Sequence, residues 1–265
     1  MTFLSNRKVC STRVQSINTF LILSLLTLTG NRNAVAEEVR MHGAVTVVDL
    51  CVAPNKAAVE SATSLTITAV GNSAGKGMSD LLDGKCEAAL MAGDLNAAID
   101  AAKKGGKDPE VGKLVYSLLM QDEIVIVVNP ANPVKKLTAS QVKDILTGKI
   151  TNWKDVGGND SGIVVVAEVP TGATRAAIKG MLLDNQEYAG ATKVQPTVKQ
   201  IPQQIAEFKS GIGGVSRTIA EKYKVQIVEL DKKLERPLGV VTVGEPAGNT
   251  KKAIEALQAE LAKTK

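Results

Sequence analysis

Aromatic residues make up only 3% of the chain, with a single tryptophan, Trp153. So few rings offer no stacking platform for nucleic-acid bases. Histidine is scarcer still, with His42 alone. No Ser-His-Asp set, Cys-His pair or multi-histidine metal cluster can be assembled from it. His42 reads as a core or edge residue of the first strand, and a paired-carboxylate site has no positive support. The expectation is a chain with no catalytic residue, no metal and no cofactor. A nucleotide-binding loop is missing as well. Gly71–Gly77 reads GNSAGKG, which lacks the Ser or Thr that must follow the lysine of a P-loop.

The apolar run Phe20–Leu28 (FLILSLLTL) is too short for a comfortable membrane span. Arg7, Lys8 and Arg13 precede it, and Ala34-Val35-Ala36 follows with a cleavage pattern before Glu37. That order describes a secretory signal peptide over 1–36, with an uncleaved anchor as the other reading. No cysteine directly follows the run, so a lipid anchor is unsupported, and Cys10 leaves with the signal. Cleavage removes four of the 32 basic residues and none of the 27 acidic ones, so the formal +5 falls to about +1. The basic balance is a targeting feature and does not point to nucleic acid or a membrane surface. Two cysteines remain, Cys51 and Cys86. Export favours pairing them, but their expected places at opposite edges of a parallel sheet argue against it. A disulfide and two buried free thiols both stay open.

From residue 37 onward, strands alternate with helices. Strands are expected over Met41–Val48, Leu65–Val70, Cys86–Met91, Leu114–Met120 and Ile124–Val128. Helices fall over Pro54–Ala62, Met78–Leu82 and Asn96–Lys104. This β-α-β-α-β order predicts a parallel sheet with helices on both faces, and ligands bind beyond the carboxyl ends of such strands. A second set follows: strands Ile163–Val169 and Gly211–Ser216, with helices Arg175–Leu183 and Ile201–Lys209. Strands Val225–Leu230 and Leu238–Val243 and an amphipathic helix Thr250–Ala262 close the chain.

The most specific stretch is Asp122–Gly158, DEIVIVVNPANPVKKLTASQVKDILTGKITNWKDVGG. The apolar strand Ile124–Val128 runs into two Asn-Pro steps, where proline removes backbone donors. Thr138 and Gln141 form a capping box, with Val142, Ile145 and Leu146 at helical spacing behind it. Gly148 is the natural stop. This stretch resembles the way into the second lobe of the phosphate-type periplasmic solute-binding proteins that serve ABC transporters. APNKAAVESAT, GNSAGKGMSDLLDGK, TGATRAAIKG and SGIGGVS also have counterparts in that family, so the resemblance covers nearly all of 37–265.

The resemblance implies an α/β, two-lobed type II periplasmic binding protein. Each lobe is a mainly parallel sheet flanked by helices, and two crossings form a hinge. The first lobe is expected over 37–126 plus 218–265 and the second over 127–217. It also implies four ligand-binding loops. The first keeps one hydroxyl, Thr46. The second has Asn72, with Ser73 beside it, where a serine is usual. The third reads Ala92-Gly93, with Asp94 one step on, where the family has serine and sometimes aspartate. The fourth is the turn Thr171-Gly172-Ala173-Thr174, followed by Arg175, and Glu168 stands where many phosphate binders carry an arginine. Each has a plainer reading. Asn72 serves as a turn residue, Asp94 as a helix cap, Glu168 as an outward strand end, Thr174 as a cap and Arg175 as a partner for a nearby carboxylate.

The family signature is intact while the phosphate contacts are eroded. The expected function is that of a periplasmic solute-binding protein, a monomer that is soluble after signal cleavage and delivers phosphate or a related small oxyanion to an ABC permease. The alternative is a sensor or interaction protein of the same fold, binding a different small ligand, a zwitterion being one option, or none.

Overall fold

The computed structural model describes residues 37–170 and 172–263. The expected signal peptide over 1–36 and Thr171 lie outside the described residues. Among the described residues no helix is long and apolar enough to cross a membrane.

In chain order the elements are β1 (Glu38–Gly43), α1 (Val45–Val47, continued by a π-helical turn Val48–Val52), α2 (Lys56–Thr63), β2 (Thr66–Gly71), α3 (Ala74–Leu82), β3 (Ala88–Ala92), α4 (Leu95–Lys104) and β4 (Leu114–Val128). Next come β5 (Lys136–Leu137), α5 (Ala139–Leu146), β6 (Val164–Glu168), α6 (Ala173–Leu182), β7 (Lys193–Gln195), α7 (Gln200–Glu207) and β8 (Gly211–Ser216). The chain ends with α8 (Arg217–Ala220), β9 (Gln226–Leu230), β10 (Leu234–Val243) and α9 (Gly248–Ala262).

The main sheet path runs β2-β1-β3-β10-β4-β8-β6-β7. Of the strands expected to be parallel, β1 pairs so with β2 and β3; β6 is parallel to β8 and to β7, a strand not expected from the sequence, while β4 pairs antiparallel throughout. Between these two sets lies an antiparallel pair of long strands, β10 and β4. One apolar core packs Met41, Ile67 and Leu90 with Val59 and Leu257. A second packs Ile126, Ile145 and Leu146 with Trp153, whose indole N–H donates to the Ser210 carbonyl at 3.0 Å. The capping box forms as expected. Thr138 Oγ1 accepts from the Gln141 amide at 3.1 Å, and Gln141 Oε1 accepts from the Thr138 amide at 2.9 Å.

Three expected strands differ. The strand expected over Met41–Val48 ends at Gly43, and a helix follows at once. Gly43 has φ +148, and a Cβ there would meet the Leu90 carbonyl oxygen at 2.3 Å. The β-branched run after it turns helical because that conformation buries Val47, Leu50, Cys51 and Val52; packing overrides propensity. The two strands expected over Leu114–Met120 and Ile124–Val128 are one 15-residue strand. The polar step Gln121–Glu123 does not break it, because each carboxylate meets an arginine. Asp122 faces Arg236 on β10, and Glu123 takes two bonds from Arg217 at 2.6 and 2.9 Å.

Strand β9 pairs with β4 (Val228 opposite Ile126) and with β5 (Leu230 opposite Leu137). Val228 and Leu234 therefore share the core of Trp153. Cys51 and Cys86 are buried free thiols. Burial pushes their pKa values up to about 12 and about 11.

Candidate ligand-binding site

A cavity of about 760 Å³ lies beyond the carboxyl ends of β2, β3 and β6. Of the expected site residues, Thr46, Asn72, Ser73, Asp94, Glu168, Gly172 and Ala173 line it. Thr174 and Arg175 do not.

On the β2–α3 side the backbone is pinned. The amides of Asn72 and Ser73 both donate to the Gly43 carbonyl, at 2.9 and 3.2 Å. Ser73 sits at φ +127, which L side chains rarely adopt, and its hydroxyl caps α3 by accepting from the Lys76 amide at 3.2 Å. Behind this loop lies Asp80, 4% exposed. Burial pushes its carboxyl up, but bonds from Lys76, His42 and Asn72 and the charge of Lys76 outweigh that and hold it at about 2. Asn72 donates its Nδ2 to Asp80 at 3.1 Å, while its Oδ1 is buried with no partner among the described residues. On the next loop Asp94 caps α4, accepting from the Ala97 amide at 2.9 Å. That is its plainer reading, made while it also lines the cavity.

On the β6–α6 side, Glu168 ends β6 at 9% exposure. Gly172 gives α6 no side-chain cap. Instead Glu168 Oε2 accepts the Thr174 amide at 3.1 Å. A Cβ on Gly172 would lie 2.3 Å from the Glu168 carboxyl carbon, so the glycine is what admits this arrangement. Burial raises the Glu168 carboxyl; the amides of Thr174, Arg175 and Val198 and the charge of Arg236 oppose that and do not cancel it. Arg175 is occupied elsewhere: Nη1 donates to the Glu168 carbonyl at 3.0 Å, and the guanidinium lies 4.4 Å from the centroid of the Tyr188 ring.

The residue that sequence reasoning missed is Arg236. It lines the cavity at 3% exposure. Its Nε and Nη2 grip Asp122 Oδ2 at 2.9 and 2.8 Å, and Nη2 reaches Thr174 Oγ1 at 3.3 Å. Asp122 is held from behind by the Ser216 hydroxyl at 2.5 Å. Nη1 is buried and has no partner among the described residues. A signal was present in the sequence. Leu234, Arg236 and Leu238 alternate onto one buried face of a strand, and a buried guanidinium demands both a carboxylate and further acceptors. Among the described residues no group of three or more His, Cys, Asp and Glu is placed to hold a metal ion.

Known proteins share this fold. The model of the PBP superfamily domain matches residues 34–265. The phosphate-binding protein PstS of Bacillus subtilis is 33% identical over 159 residues, which is 59% of this chain and 49% of that protein. The chain thus spans about half the length of this curated relative. Among solved structures, a Clostridium perfringens protein described as a phosphate ABC transporter substrate-binding protein, with bound phosphate, superimposes with TM-score 0.73 at 24% identity, over 86% of this chain and 97% of that one. An ABC-type phosphate transport receptor of Vibrio cholerae gives TM-score 0.69 at 24% identity, over 85% and 96%. Parallel β-α units on either side of two long strands, with a cleft at the strand ends, are the two-lobed fold of these binding proteins. The chain belongs to the PBP superfamily, whose phosphate-type branch supplies these relatives, and its members here are binding proteins rather than enzymes.

Proposed function

We propose that this protein is the solute-binding component of an ABC transporter and takes phosphate or a related small oxyanion in the cleft. One observation carries the reading: Arg236 lines the cavity, is fixed by Asp122 and Thr174, and keeps a buried Nη1 with no partner among the described residues. A guanidinium with its other nitrogens anchored is pre-organised to grip an oxyanion. It replaces, from β10, the arginine that the family resemblance expects at Glu168. The names of the relatives support the ligand class.

The rest of the reading is proposed from the pattern of residues 1–36 and from the family resemblance. The chain is exported through the segment 1–36, acts as a monomer in the periplasm and hands its solute to a permease. Closure is by hinge motion of lobes 37–126 plus 218–265 against 127–217. The pairing of β9 with β4 and β5 argues for carrying the second lobe on to Leu230, which makes β10 the second crossing. A sensor or interaction role is the second reading. It is favoured by Glu168, which occupies backbone donors that a ligand oxygen would use.

The test is calorimetric titration of residues 37–265 with phosphate, after unfolding and refolding to strip carried-over solute. Micromolar binding that is lost in Arg236→Met supports the transport reading. No heat at millimolar concentration, for phosphate and for other small oxyanions alike, removes it and leaves the sensor reading.

A further inference from the structure

We propose that Glu168 fills, from within the chain, the anion position at the N-terminus of α6, so that the cleft selects a small solute carrying an amine beside its oxyanion. This rests on the proposal that the cleft binds an oxyanion, and it narrows the class.

Three observations converge. First, the helix start that would greet a ligand oxygen already holds a carboxylate oxygen, Glu168 Oε2 on the Thr174 amide at 3.1 Å. Gly172 is shaped to that carboxylate, because any side chain there would run into it at 2.3 Å. An anion at a helix N-terminus is stabilised by the dipole and the free amides. With Glu168 in place, the wall offers an acceptor instead of donors.

Second, the charges lining the cavity are mostly acidic. Asp94, Asp100, Glu168 and Glu235 face Lys104 and Arg236. Arg236 is moreover already neutralised by Asp122. Such a lining repels a bare dianion and attracts a cationic group. Third, two lining residues each carry a buried polar atom that has no partner among the described residues, and the two are of opposite kind: a donor, Arg236 Nη1, and an acceptor, Asn72 Oδ1. A solute with an oxyanion beside Arg236 and an N–H group beside Asn72 and Glu168 matches the chemistry of that lining. Buried polar groups left unpaired are costly, so such a solute is preferred over one that satisfies only half.

The test is calorimetric titration of the refolded chain with orthophosphate and, separately, with 2-aminoethylphosphonate, on the wild type, Glu168→Gln and Glu168→Ala, with a melting curve on each. The wild type is expected to bind the aminophosphonate at least about tenfold more tightly than orthophosphate, a difference of about 1.4 kcal/mol. Glu168→Ala empties the donors and removes the charge, so it reverses the order; Glu168→Gln falls between. Orthophosphate binding to the wild type as tightly as the aminophosphonate overturns the inference while leaving oxyanion binding intact. So does a pair of affinities that both variants leave within about twofold. No heat from either compound on any of the three proteins overturns the parent reading, and this one with it. The wild-type comparison needs no variant to fold.

Discussion

Asp80 behind the β2–α3 side of the cleft and Glu168 on the β6–α6 side are both almost wholly buried carboxylates. Burial acts on both in the same direction. Asp80 nevertheless titrates far below the usual range, and Glu168 above it. The difference lies in the partners. Asp80 has a lysine, a histidine and an amide side chain; the hydrogen bonds from Lys76 and His42, with the Lys76 charge and the Asn72 bond, outweigh its desolvation. Glu168 has backbone amides and an arginine already committed to Asp122. Hydrogen bonds from neutral donors lower a carboxyl, but they do not replace a counter-charge of its own. One side is a closed cluster with its own counter-charge; the other is a carboxyl at the cavity wall that shares its arginine with Asp122.

The harshest way to break this contrast is to remove the counter-ion between the two walls. Arg236→Met leaves Asp122 buried and unpaired, and the expected cost is about 3–5 kcal/mol in urea unfolding. Arg236→Lys keeps the charge but loses the fork to Asp122 and Thr174, and is expected to recover part of that stability. Next comes Asp80→Asn, with an expected loss of roughly 2 kcal/mol at neutral pH, from the depth of its depressed pKa. Because the folded pKa lies below the unfolded one, this stability is present above about pH 4 and is lost as pH falls towards about 2. Acid unfolding followed by circular dichroism is therefore expected to begin at higher pH in the variant.

Gly172→Ala probes the other side. Its Cβ meets the Glu168 carboxyl, so the expected destabilisation is about 1–3 kcal/mol. The double variant Gly172→Ala with Glu168→Ala is expected to lose much less than the sum, and a strictly additive cycle would disprove the fit between the two residues. The smallest effect is a sign. A raised Glu168 pKa means that the folded state binds the proton more tightly, so stability falls as pH rises through that raised value. Glu168→Gln is expected to flatten that segment of the stability–pH curve, and an unchanged slope would show that Glu168 has no part in it.

Local features were legible in the sequence. The capping box of Thr138 and Gln141, the stop at Gly148 and the strand Gly211–Ser216 stand where the residues put them, because each depends on neighbours a few positions away. The same holds for the loops at Asn72, Asp94 and Gly172, which the parallel topology carries to one edge. The misses depend on distant partners. Arg236 and Asp122 are 114 residues apart, and only their pairing turns a polar interruption into a continuous strand. Val45–Val48, expected as the end of the first strand, coils with the residues up to Val52 because burial rewards it. Arg175 looks like a ligand residue by position, yet the Tyr188 ring and the Glu168 carbonyl hold it.

Strands β4 and β10 give the cleft a mechanical property as well as a chemical one. The guanidinium is bolted at its base to the spine that joins the two sets of parallel strands. In the proposed reading, a solute held by Arg236 loads the whole sheet, not one pliant side chain. Such a mount is a stiff spring: it yields little to a partner of the wrong length, and it passes the pull straight into β4 and β10, which join the two parallel sets.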